Sequence, residues 1–226
     1  PGIMKGKISE VFESIQGEGL YLGERQVFVR FFGCNLSCRF CDTKPESFME
    51  YDPLELYKEI KMYRKGFHSI SFTGGEPLLQ KDFLKDVLKL THRENLKNYL
   101  ETNGTLADEL KDVIDYVHIV AMDLKLPSST GLGNYFNAHR DFLEIASRSE
   151  VFIKAVISEH THESDLLDGL KLIRDVLRSA ILVLQPDSTV ESELINGKLD
   201  NFKEICRKEK ITACVIPQVH KSAGVR

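Results

Sequence analysis

The sequence predicts an α/β fold, a partial (β/α)6-type open barrel preceded by one extra strand at the N-terminus. Short, continuously apolar segments alternate with amphipathic ones along 226 residues, and no Pro-, Gly- or Ser-rich linker separates them. This alternation is typical of a parallel sheet covered by helices. The βα units number about six, fewer than the eight of a closed barrel. We therefore expect one domain over residues 1–226, with its site at the carboxyl ends of the strands.

The individual elements follow from local patterns. Residues 7–15 alternate polar and apolar side chains and predict the extra strand, at an edge of the sheet. Asp52 and Pro53 suit the N-cap and first position of a helix. The apolar runs predict strands over 26–32, 69–74, 98–104, 116–125, 151–157, 180–186 and 212–218. The amphipathic stretches predict helices over 52–65, 81–94, 134–149, 163–178 and 191–208.

Charge and composition exclude several kinds of partner. The formal net charge is -4, and Lys and Arg are spread along the chain, so we expect no nucleic-acid partner. No apolar run reaches the roughly 18 residues of a membrane span, so we expect no membrane partner. Three of the five cysteines lie within eight positions, too close to join distant elements. They indicate metal or redox chemistry in a reducing cytoplasm.

The cysteine cluster follows directly after the predicted strand 26–32. Cys34, Cys38 and Cys41 have the spacing C-x3-C-x2-C. Thiolates bind soft metals and iron–sulfur clusters, and three ligands leave one iron of a four-iron cluster free for a small molecule. A structural zinc site needs a fourth Cys or His nearby. Cys206 and Cys214 lie in an amphipathic helix and an apolar strand, where we expect buried thiols.

Two further features add to this pattern. Gly74-Gly75-Glu76-Pro77 ends the next predicted strand, and its glycines expose backbone groups at close range. A parallel sheet places this turn beside the cysteine loop. Arg30 lies inside an apolar strand, where a cation needs a carboxylate partner from the protein or from a substrate.

The motifs together resemble the radical S-adenosylmethionine (SAM) superfamily, and the resemblance implies a partial barrel of the radical SAM kind. It implies that Cys34, Cys38 and Cys41 hold a [4Fe–4S] cluster, which cleaves SAM to a 5′-deoxyadenosyl radical. The cluster and SAM then carry the chemistry, and no side chain is assigned as catalytic. The implied SAM contacts are Phe40, Gly74, Gly75, Glu76, Gly104, Asp123, Lys125, Ser128 and Gln185.

Four further motifs lie along the chain: F-x-S-(I/V/L)-Q-G-E-G at Phe12–Gly19, C-D-T at Cys41–Thr43, (E/D)-T-(N/S)-G at Glu101–Gly104 and P-Q-x-H-K-x-x-G at Pro217–Gly224. Together with the segment 12–34 they are similar to a narrower family, the 7-carboxy-7-deazaguanine synthases. This similarity implies Mg²⁺ bound by the Thr43 hydroxyl. The implied substrate contacts are Ile15, Gln16, Gly17, Glu18, Arg30, Thr102, His220 and Arg226.

The implied reaction is conversion of 6-carboxy-5,6,7,8-tetrahydropterin to 7-carboxy-7-deazaguanine, with loss of ammonia and regeneration of SAM. It belongs to deazapurine biosynthesis, which leads to queuosine or archaeosine. The same similarity implies an electron donor such as flavodoxin or ferredoxin. The exposed edge strands of a partial barrel favour a homodimer.

Two other functions are compatible with the motifs. A radical SAM activase, which installs a glycyl radical on a partner protein, also has a glycine-rich run before its cluster. Such an enzyme should bind a peptide in an open groove, whereas a pterin enzyme should have a small pocket lined by Arg30. A non-catalytic iron–sulfur or zinc protein should keep the three-sulfur site without SAM turnover.

Overall fold

A computed structural model describes residues 4–41, 45–63, 66–188 and 192–219. The strands in these ranges are β1 (Gly6–Ile15), β2 (Arg25–Phe31), β3 (Met49–Tyr51), β4 (Ser69–Gly74), β5 (Asn98–Thr102), β6 (Ile119–Asp123), β7 (Glu150–Ile157), β8 (Leu182–Pro186) and β9 (Ala213–Val215). The α-helices are α1 (Pro53–Ile60), α2 (Lys81–Arg93), α3 (Ala107–Val113), α4 (Pro127–Thr130), α5 (Phe136–Ala146), α6 (Glu163–Leu177) and α7 (Ser192–Lys208).

All strands of the described ranges join one open sheet in the order β3-β1-β2-β4-β5-β6-β7-β8-β9. Neighbours from β2 to β9 pair in parallel, which confirms the predicted parallel, open sheet. The predicted edge position of residues 7–15 was wrong. β1 is antiparallel to β2 on one side and to the unpredicted β3 on the other, so β3 forms the edge.

Several predicted elements are shorter in the structure, and α3, α4 and β3 were not predicted. β5 ends at Thr102 and β6 at Asp123, because the chain after each strand turns into a loop at the carboxyl end of the sheet. The start of α1 matches the prediction. The Asp52 carboxylate accepts from the backbone N–H of Leu54 and Glu55 at 2.9 Å each, and the Glu55 carboxylate accepts in return from the Asp52 N–H.

The two faces of the sheet differ in composition. The outer face packs on the helices and forms the main apolar core, including Phe72, Leu100 and Val120. The inner face is apolar near the amino ends of the strands and polar further along. Its apolar cluster consists of Tyr99, Ile119, Ala121, Phe152 and Val183.

The loop between β1 and β2, residues 16–24, closes the amino end of the partial barrel. The Tyr21 ring lies 5.7 Å from the Tyr99 ring and 6.3 Å from the Phe152 ring. At the opposite margin of the sheet, the Val219 N–H donates to the Gly17 carbonyl at 2.9 Å. Residues from both margins therefore meet around one interior space. None of the helices in the described part of the chain is long and apolar enough to cross a membrane.

Candidate active site

A cavity of about 440 Å³ lies against the inner face of the sheet. It lies between the loop 16–24 and the loops at the carboxyl ends of the strands. The structure brings most of the predicted site residues together here. Those that line the cavity are Ile15, Gln16, Gly17, Glu18, Arg30, Cys34, Cys38, Phe40, Cys41, Gly74, Gly75, Thr102, Asp123, Lys125 and Gln185.

The cysteine loop 33–41 and the turn 74–77 form one wall, which we call the rim. The Cys41 N–H donates to the Cys38 carbonyl at 3.1 Å, and the Leu36 N–H to the Cys34 Sγ at 3.4 Å. Burial raises the pKa of Cys38, the Lys125 ammonium lowers it, and the charges of Cys34 and Cys41 raise it further. The three thiols therefore share one electrostatic environment.

This donor set fits the three protein-held corners of a four-iron cluster, since each thiolate binds a different iron. Cys34, Cys38 and Cys41 are all free thiols at the cavity wall. In the ranges that the structure covers, no three Cys, His, Asp or Glu side chains lie close enough to hold a single metal ion.

Two glycines let the turn 74–77 lie directly on the chain that leads into Cys34. The Gly75 N–H donates to the Phe31 carbonyl at 3.0 Å. A Cβ atom on Gly75 would lie 1.9 Å from the Gly33 carbonyl oxygen. Gly74 has φ +120°, a conformation that favours glycine. The cysteine loop and this turn are therefore positioned by each other's backbone.

The Glu76 side chain does not line the cavity, although Glu76 was predicted to contact SAM. Its carboxylate is buried and accepts from the Asn103 N–H at 2.7 Å, the Thr102 hydroxyl at 3.0 Å and the Leu78 N–H at 3.1 Å. Burial raises the pKa of Glu76 to about 7. This carboxylate ties the rim to the end of β5, and a SAM contact through the Glu76 backbone stays a prediction.

Gly104 and Ser128, also predicted to contact SAM, are absent from the cavity wall in the described structure. Gly104 lies behind it, where its carbonyl is 2.9 Å from Nδ1 of His139. Burial lowers the pKa of His139 to about 4, so this histidine is a neutral structural residue. The Ser128 N–H donates to Asp165 and its hydroxyl accepts from the His162 N–H, which commits Ser128 to the start of α6.

Three predicted ligands cannot be placed. Thr43, His220 and Arg226 lie outside the described residues. Among the other cysteines, Cys206 is buried in the main core as predicted, but Cys214 is only half-buried. Its strand β9 is the last in the sheet that the described residues form, so no strand of these ranges covers it on that side.

The opposite wall of the cavity, which we call the floor, consists of Gln16, Glu18, Glu101 and Lys154. We expected the site at the carboxyl ends of the strands, but Gln16 and Glu18 come from the amino end of β2, because β1 runs antiparallel to it. Nε2 of Gln16 donates to Oε1 of Glu101 at 2.8 Å. Nζ of Lys154 lies 3.1 Å from Oε2 of Glu18. Polar side chains from distant segments therefore meet on this wall.

Glu101 presents a fixed carboxylate to the cavity. The Thr73 hydroxyl donates to its Oε2 at 2.9 Å, while Gln16 holds Oε1. Burial raises the pKa of Glu101, whereas the Lys154 ammonium lowers it and the Glu18 carboxylate raises it. A carboxylate held in this way can accept a pair of N–H donors from a planar ligand.

Arg30 lies between rim and floor. Its Nε is 3.2 Å from Oε2 of Glu10 on β1, which confirms that the protein supplies a carboxylate partner. The guanidinium lies 5.7 Å from the Phe12 ring centre, and Phe12 stacks on Phe28 at 5.2 Å. The guanidinium side chain is about a quarter exposed, at 24 %, and faces the cavity.

Sequence reasoning missed several residues of the cavity wall. Lys154 stands inside the apolar run 151–157, as Arg30 does in its own strand, so the same criterion could have found it. Glu101 was noticed only as part of a motif. The remaining missed residues are Phe12, Phe28, Leu36, Thr73, Asn103, Val156, Asp187 and Gln218.

Comparison with known proteins agrees with this geometry. The sequence model of the radical SAM superfamily matches residues 28–195. The 7-carboxy-7-deazaguanine synthase of Geobacter sulfurreducens is 37% identical and covers 96% of this chain and 97% of its own length. The one of Methanothermobacter thermautotrophicus is 43% identical, with 99% of both chains covered.

A solved structure gives the same fold. The crystal structure of QueE from Escherichia coli has a TM-score of 0.66 at 18% sequence identity and covers 94% of each chain. At that identity the likeness concerns the fold alone, and the full-length relatives define the family. The chain belongs to the radical SAM superfamily and, within it, to the family of 7-carboxy-7-deazaguanine synthases.

Proposed function

We infer that this chain is a 7-carboxy-7-deazaguanine synthase, which converts 6-carboxy-5,6,7,8-tetrahydropterin to 7-carboxy-7-deazaguanine and ammonia. The observation that carries this inference is full-length similarity to relatives of that name. The cavity at the inner face of the sheet supports it, because three cysteines and Arg30 line the same space. A cavity of about 440 Å³ suits a small molecule better than a protein segment.

Three cofactors belong to this function. A reduced [4Fe–4S] cluster with bound SAM would supply radical chemistry that removes a hydrogen atom from the substrate. Cys34, Cys38 and Cys41 are the thiolates that fit the cluster. Mg²⁺ is the third cofactor, and we propose the Thr43 hydroxyl as one of its ligands. A hard cation with oxygen ligands can orient a substrate carboxylate.

The rim and its neighbours would hold SAM. The Gly74–Gly75 backbone faces the space beside Cys34. It lies so close to the Gly33–Cys34 backbone that a Cβ atom on Gly75 would clash with it. The Lys125 ammonium lies 5.7 Å from the Phe40 ring centre and pairs with Asp123 at 2.8 Å, which fixes both side chains. A charged carboxylate and an aromatic face suit the polar and planar parts of a nucleoside.

The floor would hold the pterin. The carboxylates of Glu18 and Glu101 can accept hydrogen bonds from the N–H groups of the pterin ring, and Arg30 can pair with the substrate carboxylate. The apolar cluster below the floor excludes water from the amino end of the barrel. These side chains bind and orient the substrate, and no acid or base role is assigned to them.

Further partners are part of the proposal. An electron donor such as flavodoxin or ferredoxin would reduce the cluster in the cytoplasm, where thiols stay reduced. We propose a homodimer, supported by the exposed β3 edge strand, where Met49 is 57% exposed. The net charge of -4 supports the absence of a nucleic-acid partner.

The test is anaerobic reconstitution followed by incubation with SAM, a reductant and the carboxytetrahydropterin, with mass analysis of the products. We expect 7-carboxy-7-deazaguanine and undiminished SAM. The Cys38→Ser variant should lose both cluster and product, while the matched control Cys214→Ser keeps them. Cleavage of SAM without any change in the pterin would refute the function.

A second arm of this experiment tests the Mg²⁺ requirement. Thorough chelation should slow product formation, and added Mg²⁺ should restore the rate, because the cation fixes the substrate carboxylate. The iron content and the visible absorption of the cluster serve as controls that the chelator has left the cluster intact. An unchanged rate after chelation would remove Mg²⁺ from the proposal.

A further inference from the structure

Lys154 is the charged residue of the floor that has no role in the function so far. It lies in the middle of β7, and its side chain is only 6% exposed. Its Nζ lies 3.1 Å from Oε2 of Glu18 and 3.5 Å from Oδ1 of Asp123. Glu18 belongs to the floor, while Asp123 ends β6 beside the rim. One ammonium group therefore contacts a carboxylate of the proposed pterin site and one of the proposed SAM site.

The charge on Lys154 is maintained by its neighbours. Burial alone would lower its pKa, but the carboxylates of Asp123, Glu18 and Glu101 raise it well above the usual value. Burying an ammonium is costly unless it is paired, and even a paired one often gives no more stability than an apolar side chain of similar volume, so stability alone does not require lysine here. A lysine that served packing alone would be replaceable by an apolar residue of similar length.

We propose that Lys154 is a positioning residue for the synthase reaction, which holds the Glu18 carboxylate toward the pterin and couples it to Asp123 on the cofactor side. This rests on the proposed function. The role is indirect, because Lys154 acts through the two carboxylates that it contacts. It differs from the roles of Arg30 and Lys125, which would meet the substrate and the SAM site themselves.

The proposal predicts a pH dependence. The charged and titratable groups that face Lys154 are Glu18 from the loop 16–24, Tyr99 and Glu101 from β5, Asp123 from β6, and Lys125 just after it. Without the ammonium, Glu18, Glu101 and Asp123 lose the cation that they share, and Lys125 is the cation left among the groups that face position 154. Removing the ammonium takes away the charge that lowers the pKa of Glu101, so the pKa of this buried carboxyl rises further and it takes up a proton as the pH falls. A protonated carboxyl group accepts hydrogen bonds poorly, and pterin binding weakens.

The test measures binding without turnover. Reconstituted protein with SAM but no reductant is titrated with 6-carboxypterin, the oxidised and unreactive form of the substrate, between about pH 5.5 and 7.5. The wild-type affinity should change little over this range. Lys154→Met should weaken binding by at least about tenfold at neutral pH, with a further loss as the pH falls. Lys154→Arg should restore the flat profile, because it keeps the charge.

A matched control separates positioning from stability. Nζ of Lys198 donates to the carbonyls of Ser158 at 3.2 Å and Thr161 at 3.0 Å, away from the cavity. Lys198→Met should lower thermal stability and leave both the affinity and its pH profile unchanged. If Lys154→Met does not fold, Lys154→Gln repeats the test, since it removes the charge and keeps a donor.

The outcomes are distinguishable. Wild-type affinity with a flat profile in the folded Lys154→Met or Lys154→Gln variant overturns the positioning role and leaves the synthase function standing. A uniform loss of affinity without pH dependence also overturns it, because that is the signature of a packing defect. Wild-type protein that neither binds 6-carboxypterin nor converts the reduced substrate overturns the function and the inference together.

Discussion

The rim and the floor of the cavity are built in different ways. The rim consists of two short loops that lie side by side. The Gly75 and Glu76 N–H groups donate to the carbonyls of Phe31 and Gly33, so the two loops fix each other through backbone hydrogen bonds. The floor is assembled from side chains that are distant in sequence. Gln16 reaches Glu101 across 85 positions and Lys154 reaches Glu18 across 136.

This difference determines how each region should fail. The rim depends on backbone conformation, so an added methyl group disrupts it while a change of charge nearby does not. The floor depends on the balance of charge in a poorly hydrated space, so isosteric substitutions that remove a charge disrupt it. A variant in one region should therefore leave the function of the other measurable.

Arg30→Ala gives the largest expected effect and separates the two regions most clearly. Removing one partner of a cavity ion pair costs about 2–5 kcal/mol, so pterin turnover should fall about thirtyfold or more. Cluster content and reductive SAM cleavage should persist, because the rim is intact. The assay compares pterin turnover with SAM cleavage in the same sample.

A matched control exists at the other end of β2. Arg25 pairs with Glu13 at 2.8 Å, as Arg30 pairs with Glu10, but Arg25 does not line the cavity. Arg25→Ala should retain near-normal turnover. Equal losses in both variants would mean that the arginines act on the β1–β2 pairing rather than on the substrate.

Gly75→Ala tests the rim directly. The new Cβ would meet the Gly33 carbonyl oxygen at 1.9 Å, so the chain leading into Cys34 must move. Overpacking of this kind costs about 1–3 kcal/mol, and cluster incorporation should fall severalfold. The iron content of the reconstituted protein measures cluster incorporation.

A control variant and a binding measurement check the interpretation of Gly75→Ala. Gly133→Ala adds a methyl group where no atom lies within 4 Å and should incorporate iron normally. Binding of 6-carboxypterin by Gly75→Ala protein should be retained, since the floor is unchanged. Full iron content in Gly75→Ala protein would contradict the proposed dependence of the rim on backbone contact.

Glu76→Gln probes the link between the rim and β5. Glu76 has a folded pKa of about 7, raised by burial from the ordinary value of 4.5, so the folded state holds its proton more tightly than the unfolded state. Its contribution to stability is therefore present at low pH and is lost as the pH rises through about 7. The loss is at most about 1.4 kcal/mol per pH unit.

The measurement is denaturant unfolding of both proteins across that window. The difference in unfolding free energy between wild type and Glu76→Gln should change between about pH 4.5 and 7. The unfolding free energy of wild type should fall relative to that of the variant as the pH rises. A pH-independent difference would show that Glu76 does not titrate there. Cluster-free protein is compared throughout, so that metal binding does not contribute.

Asp52→Ala gives the smallest effect and provides a baseline outside both regions. Loss of the N-cap of α1 should cost about 1 kcal/mol of stability, because the Leu54 and Glu55 N–H groups lose their acceptor. Turnover per folded molecule should equal that of wild type. Thermal unfolding and turnover are measured on the same preparation, and a specific loss of turnover would show that the cavity is sensitive to any destabilisation.

The contrast between the rim and the floor also explains which parts of the site could be predicted from the sequence. The rim was predictable because its residues lie in short motifs, and the parallel sheet places the turn 74–77 beside the cysteine loop. The strands were predictable because each is an apolar run. Arg30 was found as a cation in such a run, and Lys154 meets the same criterion.

The floor was harder to predict, because its contacts depend on where the loop 16–24 lies in space. Nothing local places Gln16 beside Glu101; the antiparallel pairing of β1 with β2 and the curvature of the sheet do so. β3 was missed because three residues carry too little pattern. The SAM contact of Ser128 stays a prediction, and its hydrogen bonds to the start of α6 are a tertiary contact that no local pattern indicates.

The most direct test of this division is an anaerobic crystal structure of the reconstituted protein with SAM and 6-carboxypterin. We expect SAM along the rim, beside Cys34 and Gly75, and the pterin ring against Glu18 and Glu101 with its carboxylate toward Arg30. A pterin bound outside this cavity, or a fourth side chain on the cluster where SAM should bind, would refute this arrangement of the site.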